Sequence, residues 1–382
     1  MFNRENLNFI KKWYLAVDGR LLAIFYLLVL SSCMFSFSFS PSVANRIGVN
    51  EYHFFKHQLV FSAMSIFLVF IISLMSKNLA KKSVFIFFFI AFLLLILVPF
   101  FGFKTKGAKR WIYIFGFSFQ PTEFIKPALI LLNSIFLEKI IKTKDGKYLA
   151  FSLIFYFICV LFIVKQPDIG TLILLSAVFF TQIFLLDIIE IKYYLYLLVI
   201  STISVFLLYK SLPHVSNRID NFLTSVKNPE MANYQVRRSL LSYKNSGLMG
   251  NGFLNGYVKN HIPDAHTDFI FPAVTEEFGF IISFLIVSLY LYVFIRAVIL
   301  ACFCKDFFQF TALFGLSLLL MVQTTINICV SMNLLPTKGM TLPLLSYGGS
   351  STIGMSILFG YILVFTKNDF GVGEQNKELL MV

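Results

Sequence analysis

Two polar clusters stand at the start of one long apolar stretch, and their residue types could support acid-base chemistry. His266, Thr267 and Asp268 end a polar run and lead directly into apolar residues. Two adjacent carboxylates, Glu276 and Glu277, follow about two to three helical turns later. A charge beside hydrocarbon is costly unless it faces the protein interior or a watery cavity. The stretch 261–279 is therefore a candidate functional site.

The composition is that of an integral membrane protein. Apolar residues make up 58% of the 382 residues, charged residues make up 13%, and the mean hydropathy is +0.80. A soluble domain carries roughly 25% charged residues. The net charge of +13 favours anionic membrane lipid as a partner and not nucleic acid. The five cysteines lie in or beside apolar segments and lack the spacing of a zinc site, so no metal cage is predicted.

Apolar segments of the length needed to cross the hydrocarbon, about 20 residues, recur along the chain. We predict an all-α integral membrane protein with about ten transmembrane helices in one domain, residues 21–366, between an N-terminal segment 1–20 and a tail 367–382. The predicted spans are 21–39, 58–75, 84–101, 121–136, 148–164, 169–186, 193–209, 269–297, 307–330 and 351–365.

Lysine and arginine in the short connections place both termini in the cytoplasm. This orientation leaves a large extracytoplasmic loop, residues 210–268, between the seventh and eighth helices. Residues 104–110 and the large loop are nevertheless rich in lysine and arginine, which opposes the usual topology rule. An anionic substrate at the outer face would explain this excess. For the large loop, the alternative that its charges are merely solvated stays open.

Four unusual motifs fall in loops that this topology places on the outer face. They are GAKRW with FQPTEFIKP (107–127), KQPDIGT (165–171), the glycine-rich stretch 246–252 that leads to 261–268, and NLLPTKGMTLPLLSYGGSS (333–351). The last is too rich in glycine and proline for a spanning helix but apolar enough to enter the membrane, which predicts a re-entrant or half-buried loop beside a cavity. We expect one composite site with Asp268, a basic group and a glycine-rich floor.

Glu123 and Lys126 are three residues apart in the predicted fourth helix, so they share a helix face and could pair. Either the pair only holds the bundle together, or Lys126 offers its ammonium group to a phosphate while Glu123 orients it. We favour a mixed role. Asp168 is most simply a helix cap. The glycine-rich stretch would let backbone approach a ligand, but it lacks the flanking strand of a phosphate-binding loop.

Taken in order, these motifs resemble those of the SEDS family (shape, elongation, division and sporulation). The matching stretches are GAKRWI with FSFQPTEFIKP, KQPDIGT, PDAHTDFIF with EEFG, and LLPTKGMTLPLLSYGGSS. PTKG at 336–339 and PDAH at 263–266 look more like the division members than the elongation members. Pro272 departs from the family pattern, which has a small residue there, and is a candidate for a bend in the eighth helix.

The resemblance implies a peptidoglycan glycosyltransferase that polymerises lipid II at the outer face of the bacterial cytoplasmic membrane, at the division septum. It matches Asp268 to the family's essential acidic residue, and Glu123 and Lys126 to a functional pair. Polymerisation needs a base for the acceptor hydroxyl, which Asp268 could supply, and charge compensation for the departing pyrophosphate. The predicted substrate-binding residues are Lys109, Arg110, Glu123, Lys126, His266, Thr267, Lys338, Ser346, Gly348 and Gly349.

The implied partners are lipid II, the undecaprenyl-pyrophosphate-linked glycan, a cognate class B penicillin-binding protein transpeptidase, other divisome proteins and membrane lipid. No cofactor is required by the sequence, although a Mg²⁺ or Mn²⁺ ion could assist at the pyrophosphate. Three alternatives stay open. A lipid II flippase would need a polar path across the membrane. The predicted helices offer few polar residues in the inner half of the membrane. An elongation polymerase and a scaffold that only recruits the transpeptidase are the other two.

Overall fold

The computed structural model describes residues 9–105, 108–114, 116–186, 209–210 and 213–367. These ranges contain twelve α-helices, a small sheet and two short 3-10 helices, Pro229–Met231 and Val258–His261. The α-helices are α1 (Phe9–Ala16), α2 (Gly19–Ile47), α3 (His53–Leu74), α4 (Lys77–Phe101), α5 (Pro121–Thr143), α6 (Lys147–Lys165), α7 (Ile169–Phe184), α8 (Pro213–Lys227), α9 (Tyr234–Ser246), α10 (Ile270–Cys302), α11 (Phe307–Ser331) and α12 (Gly349–Phe365).

Nine of the ten predicted spans coincide with helices α2 to α7 and α10 to α12. The seventh, 193–209, lies outside the described residues except at its last position, as does nearly all of the tail. Six of the described helices, α2, α3, α4, α6, α10 and α11, are long and apolar enough to cross a membrane, and α7 and α12 are shorter apolar helices. The chain is a multi-pass membrane protein.

The described part of the chain is mostly helical, as predicted, but the loop between α4 and α5 contains a small sheet that the sequence analysis missed. Strands β1 (Phe103–Thr105), β2 (Ala108–Ile114) and β3 (Phe117–Phe119) form an antiparallel sheet in the order β1-β2-β3. The run Trp111-Ile112-Tyr113 has aromatic and β-branched side chains that favour strands, a local signal that the basic residues of this loop obscured. The basic cluster therefore lies on paired strands, where Lys104 stands opposite Lys109.

Helix α5 is the centre of the bundle. Pro121 occupies its first turn, where a missing N–H costs nothing, and most residues from there to Ile140 are buried. Helices α4, α6, α7, α11 and α12 all pack against it. A helix buried on every side positions its polar residues inside the protein, so Glu123 and Lys126 face protein and not lipid.

Helix α10 contains a break at Gly279, whose φ of 78° is non-helical. The glycine-rich stretch 246–252 fills the break with four backbone hydrogen bonds. Asn251 and Gly252 donate to the carbonyls of residues 276 and 277, while the N–H groups of residues 280 and 281 donate to the carbonyls of residues 247 and 248. In an unbroken helix the N–H groups of residues 280 and 281 would instead donate to the carbonyls of residues 276 and 277. The glycines therefore allow close approach to a helix backbone, a role different from the ligand contact considered above.

Pro272, the expected site of a bend, lies in the first turn of α10 and keeps helical geometry. The first four N–H groups of a helix have no partner within the helix, so a proline there removes no hydrogen bond. The break instead falls at Gly279, where α10 meets the large loop.

Glu276 and Glu277 fix the same loop to α10, which agrees with the expectation that they orient polar partners. The Glu276 carboxylate accepts hydrogen bonds of 2.7–2.9 Å from the backbone N–H groups of Tyr257, Val258 and Lys259. Glu277 forms a buried ion pair with the Lys259 side chain and accepts a hydrogen bond from Ser38. The start of α10 and the end of the loop are thus held as one unit.

We expect Gly279→Ala to destabilise the fold. A Cβ at this position would lie 2.2 Å from the Leu248 carbonyl oxygen, and the positive φ disfavours alanine. The expected loss is about 2 kcal/mol of unfolding free energy. Gly146→Ala is the control, because nothing lies within 4 Å of a Cβ built there. Thermal unfolding of both purified variants measures the difference, and equal unfolding temperatures would contradict this account of the break.

Candidate functional site

A cavity of about 580 Å³ lies where the motif loops meet. Its wall includes Arg110 of the sheet, Glu123 of α5 and Thr171 of α7. The end of the large loop contributes Thr267 and Asp268, and the segment between α11 and α12 contributes Lys338, Gly339, Gly348 and Gly349. The structure therefore brings the four motifs into one composite site with a carboxylate, basic groups and several glycines, as the sequence predicted.

Asp268 is held by its backbone beside the segment that precedes α12. The Asn327 amide of α11 donates to the Asp268 carbonyl oxygen at 2.8 Å and also to the Met340 carbonyl oxygen. A Cβ on Gly339 would lie 2.7 Å from Asp268 Oδ2, so only glycine leaves room for the carboxylate there. The sequence analysis missed Asn327. The available signal was a pair of amides four residues apart, Gln323 and Asn327, on one face of an apolar helix.

Glu123 and Lys126 form the expected ion pair, with the Lys126 ammonium 2.9 Å from both carboxylate oxygens. Lys126 is fully buried and also donates to Gln323 Oε1 at 2.7 Å. The Gln323 amide in turn donates to the Thr341 carbonyl. Glu123 lines the cavity, whereas Lys126 is not part of its wall. Lys126 therefore orients Glu123, and Glu123 faces the cavity, whereas the alternative considered from the sequence had Glu123 orient Lys126 toward a phosphate.

Asp168 is a helix cap as predicted, because it accepts hydrogen bonds from the backbone N–H and the hydroxyl of Thr171. It also forms an ion pair of 2.9 Å with Lys338, a contact that the sequence analysis missed. A Cβ on Gly170 would lie 1.8 Å from the Lys338 side chain, so this glycine makes room for the pair. The two partners are 170 residues apart, and no local pattern connects them.

Burial by itself would raise the pKa of Asp168, but the charge of Lys338, its hydrogen bond and the charge of Arg110 hold the pKa below its ordinary value. Burial also lowers the pKa of Lys338, and the Asp168 carboxylate opposes this effect. Each charge therefore depends on the other to remain inside the protein.

The two basic residues predicted in the sheet have different positions. Arg110 lines the cavity and donates to the carbonyl oxygens of Gln166 and Pro167, at 2.8 and 2.6 Å. These bonds fix β2 to the turn between α6 and α7. Lys109 donates to the Pro99 carbonyl at 3.1 Å and is not part of the cavity wall. Alternate side chains of a strand point to opposite faces, which is why the neighbours Lys109 and Arg110 have different surroundings.

His266 and Ser346 were also predicted to bind substrate, and neither lines the cavity. The Ser346 hydroxyl donates to the Thr267 carbonyl at 2.6 Å and accepts from the Leu342 N–H, which joins the two loops. The His266 ring packs against Phe54 and Tyr347, with centroid distances of 4.6 and 5.4 Å. Both residues support the loop that presents Asp268.

The described residues include no group of three or more His, Cys, Asp and Glu side chains that could hold a metal ion. Glu123 of the cavity wall and Asp168, which lies beside the wall residue Lys338, are each paired with a lysine. Asp264 and Asp268 also line the cavity. A Mg²⁺ ion is commonly held by one or two carboxylates together with substrate phosphates and water, and these two residues fit that arrangement.

The fold and site define a polytopic membrane protein with a polar cavity built from loops at one end of its bundle. The family model described as cell cycle protein, for FtsW, RodA and SpoVE, matches residues 19–369, and the chain belongs to this family. A relative from Caulobacter vibrioides named probable peptidoglycan glycosyltransferase FtsW is 34% identical over 96% of this chain and 93% of the relative. A protein of the same name from Pasteurella multocida is 32% identical over 91% of this chain and 90% of its own length.

Solved structures confirm the fold. A chain of a peptidoglycan synthase complex is 24% identical and superposes with a TM-score of 0.75, covering 92% of this chain and 98% of that chain. The rod shape determining protein RodA of Thermus thermophilus is 23% identical with a TM-score of 0.65, covering 92% and 97%.

We expect Asp168→Asn to keep the helix cap and lose the ion pair, because asparagine is an equally good cap but carries no charge. Lys338 would then be left without its partner, at an expected cost of about 3 kcal/mol. Thermal or denaturant unfolding measures the loss. The double variant Asp168→Asn/Lys338→Met removes the stranded charge and should recover part of the stability. A double variant that adds the full effects of both single changes would show that the pair is not coupled.

The stability of the protein should fall at acidic pH through His266. Burial lowers the pKa of His266 to about 4, from an ordinary value of 6.5. The unfolded chain binds a proton on this residue below pH 6.5, while the folded protein does so only near pH 4, so stability is lost progressively between these values. The expected loss is about 3 kcal/mol. His266→Phe preserves ring packing and should flatten this part of the unfolding profile; an unchanged slope would contradict the assignment.

Proposed function

We propose that this chain is a peptidoglycan glycosyltransferase that polymerises lipid II at the outer face of the bacterial cytoplasmic membrane during septal wall synthesis. The observation that carries the proposal is that the Asp268 carboxylate shares one cavity with Arg110 and Lys338. Family membership and the names of the curated relatives support the same activity. The arrangement suits a reaction that needs one base and a cationic site for a diphosphate.

In this reaction Asp268 takes the proton from the acceptor sugar hydroxyl as its oxygen attacks the anomeric carbon of the donor glycan. The bond between that carbon and the diphosphate oxygen breaks, and undecaprenyl pyrophosphate leaves with the bonding electrons. Arg110 and Lys338 stabilise the negative charge that develops on the leaving group. One carboxylate is sufficient for this displacement. Asp264 and Asp268 are the residues that would hold a Mg²⁺ or Mn²⁺ ion, which would supply further positive charge for the leaving group.

A lipid II flippase is the second candidate, and the described polar residues between helices disfavour it. Asn133, Ser134 and Gln182 are polar residues buried in the bundle. However, they satisfy one another: Asn133 donates to Gln182, which donates to the Ser134 hydroxyl and the Thr311 carbonyl. Such a closed network stabilises helix packing and offers a headgroup few unfilled hydrogen-bonding positions.

A class B penicillin-binding protein is the proposed partner, and the product glycan would be its substrate for crosslinking. The structural neighbour from a peptidoglycan synthase complex, whose description joins polymerisation with crosslinking, supports this pairing. The proposed location at the septum rests on the relatives named FtsW. The elongation role is the alternative that the fold accommodates equally well.

We expect Asp268→Asn to abolish polymerisation of lipid II by the purified protein, with a loss of at least about 100-fold, because asparagine keeps the shape and removes the base. Asp220→Asn is the matched control. Asp220 lies on exposed α8 and accepts a hydrogen bond from Tyr209, which asparagine retains. The assay is run with and without the transpeptidase, and co-purification verifies that the complex forms. Full polymerisation by a correctly folded Asp268→Asn protein would support the scaffold alternative and refute the proposed mechanism.

A further inference from the structure

Arg218 is a third cation of the cavity wall that the sequence analysis did not select. It lies on α8 of the large loop and lines the same cavity as Arg110 and Lys338. Its side chain is only partly buried, and within the described part of the chain it forms no hydrogen bond or ion pair. The nearest acid along its own helix, Asp220, is two residues away and accepts a hydrogen bond from Tyr209. Residues at this spacing do not face each other on a helix.

Arg218 stands within electrostatic range of the charges on the neighbouring wall. Partial burial and the like charge of Arg110 lower the pKa of Arg218, while the Asp168 carboxylate raises it. The guanidinium remains charged at any physiological pH. Asp168 is already in contact with Lys338, so Arg110, Arg218, Lys338 and Asp168 together carry three positive charges and one negative charge. The carboxylates of the same cavity wall are Glu123, Asp264 and Asp268.

Helix α8 is anchored in a way that fixes this position. The Ser225 hydroxyl donates to Asn333 Oδ1 at 3.0 Å, which joins α8 to the segment that carries Lys338. Arg110 and Arg218 line one cavity and their like charges interact, so a bound anion would offset their repulsion. Guanidinium groups bind phosphate oxygens through paired N–H donors, and a diphosphate has oxygens on two phosphorus atoms, so it can engage both groups at once.

We propose that Arg218 and Arg110 together bind the diphosphate of the lipid-linked substrate. This inference rests on the proposed function and assigns the large loop a direct part in substrate binding. One guanidinium contacts the diphosphate from the β2 strand, and the other contacts it from α8. The large loop would then contact bound substrate directly, because its helix α8 completes the anion site.

The test compares Arg218→Ala with Lys227→Ala, an equal loss of charge on the same helix at a residue outside the cavity wall. The first readout is binding of inorganic pyrophosphate to the full-length protein in nanodiscs. Binding is measured as a rise in the unfolding temperature. We expect the dissociation constant to rise on the order of ten- to a hundredfold for Arg218→Ala and to stay unchanged for Lys227→Ala. Arg218→Lys keeps the charge without the paired donors and should give an intermediate value.

The second readout is kcat/KM for lipid II polymerisation, which should fall by a similar factor. Nanodiscs of phosphatidylcholine alone exclude an anionic phospholipid headgroup as the ligand. An Arg218 effect that appears only when phosphatidylglycerol is added would overturn the assignment to substrate. If the wild type polymerises lipid II and Arg218→Ala matches Lys227→Ala in both readouts, this inference fails and the proposed function stands. If the wild type binds pyrophosphate through Arg218 but makes no polymer, the proposed function fails and the anion site at Arg218 stands.

Discussion

The cost of an unpaired charge inside a membrane protein is the constraint on which this structure depends. Glu123 with Lys126, Asp168 with Lys338, and Glu277 with Lys259 are ion pairs that exclude most solvent. Glu276 is instead surrounded by three backbone N–H donors. Removing one partner of such a pair strands the other, so these contacts also determine which helices and loops must stay together. The pairs Asp168–Lys338 and Glu277–Lys259 each join a loop to another segment of the chain.

The same constraint distinguishes side chains that position other groups from the carboxylate that is proposed to act as the base. Lys126 is fully enclosed and acts through Glu123, while Arg110 is fastened to two carbonyl oxygens at the cavity edge. Asp268 lies on the wall beside Gly339, where the lack of a side chain leaves space for its carboxylate. The break in α10 serves the same end, because it joins the helix that begins beside Asp268 to the large loop. Positioning, more than unusual chemistry, is what this scaffold supplies.

Local patterns predicted the helices and the four loops well, because apolar length and glycine-proline content are properties of neighbouring residues. The Glu123–Lys126 pair, at a spacing of three, was predictable for the same reason. The Asp168–Lys338 pair, the Asn327 contacts and the insertion of residues 246–252 into α10 were not, since each joins segments distant along the chain. His266 and Ser346 were assigned to substrate because residue type alone does not show whether a polar side chain faces a cavity or another loop.

The central claim is that the cavity holds the diphosphate at its basic side and the acceptor hydroxyl at Asp268. The most direct measurement is a cryo-electron microscopy structure of the Asp268→Asn protein with lipid II, in complex with the proposed transpeptidase partner. We expect diphosphate density against the guanidinium of Arg110, with a sugar hydroxyl within hydrogen-bonding distance of residue 268. Headgroup density outside this cavity, with the cavity empty, would contradict it.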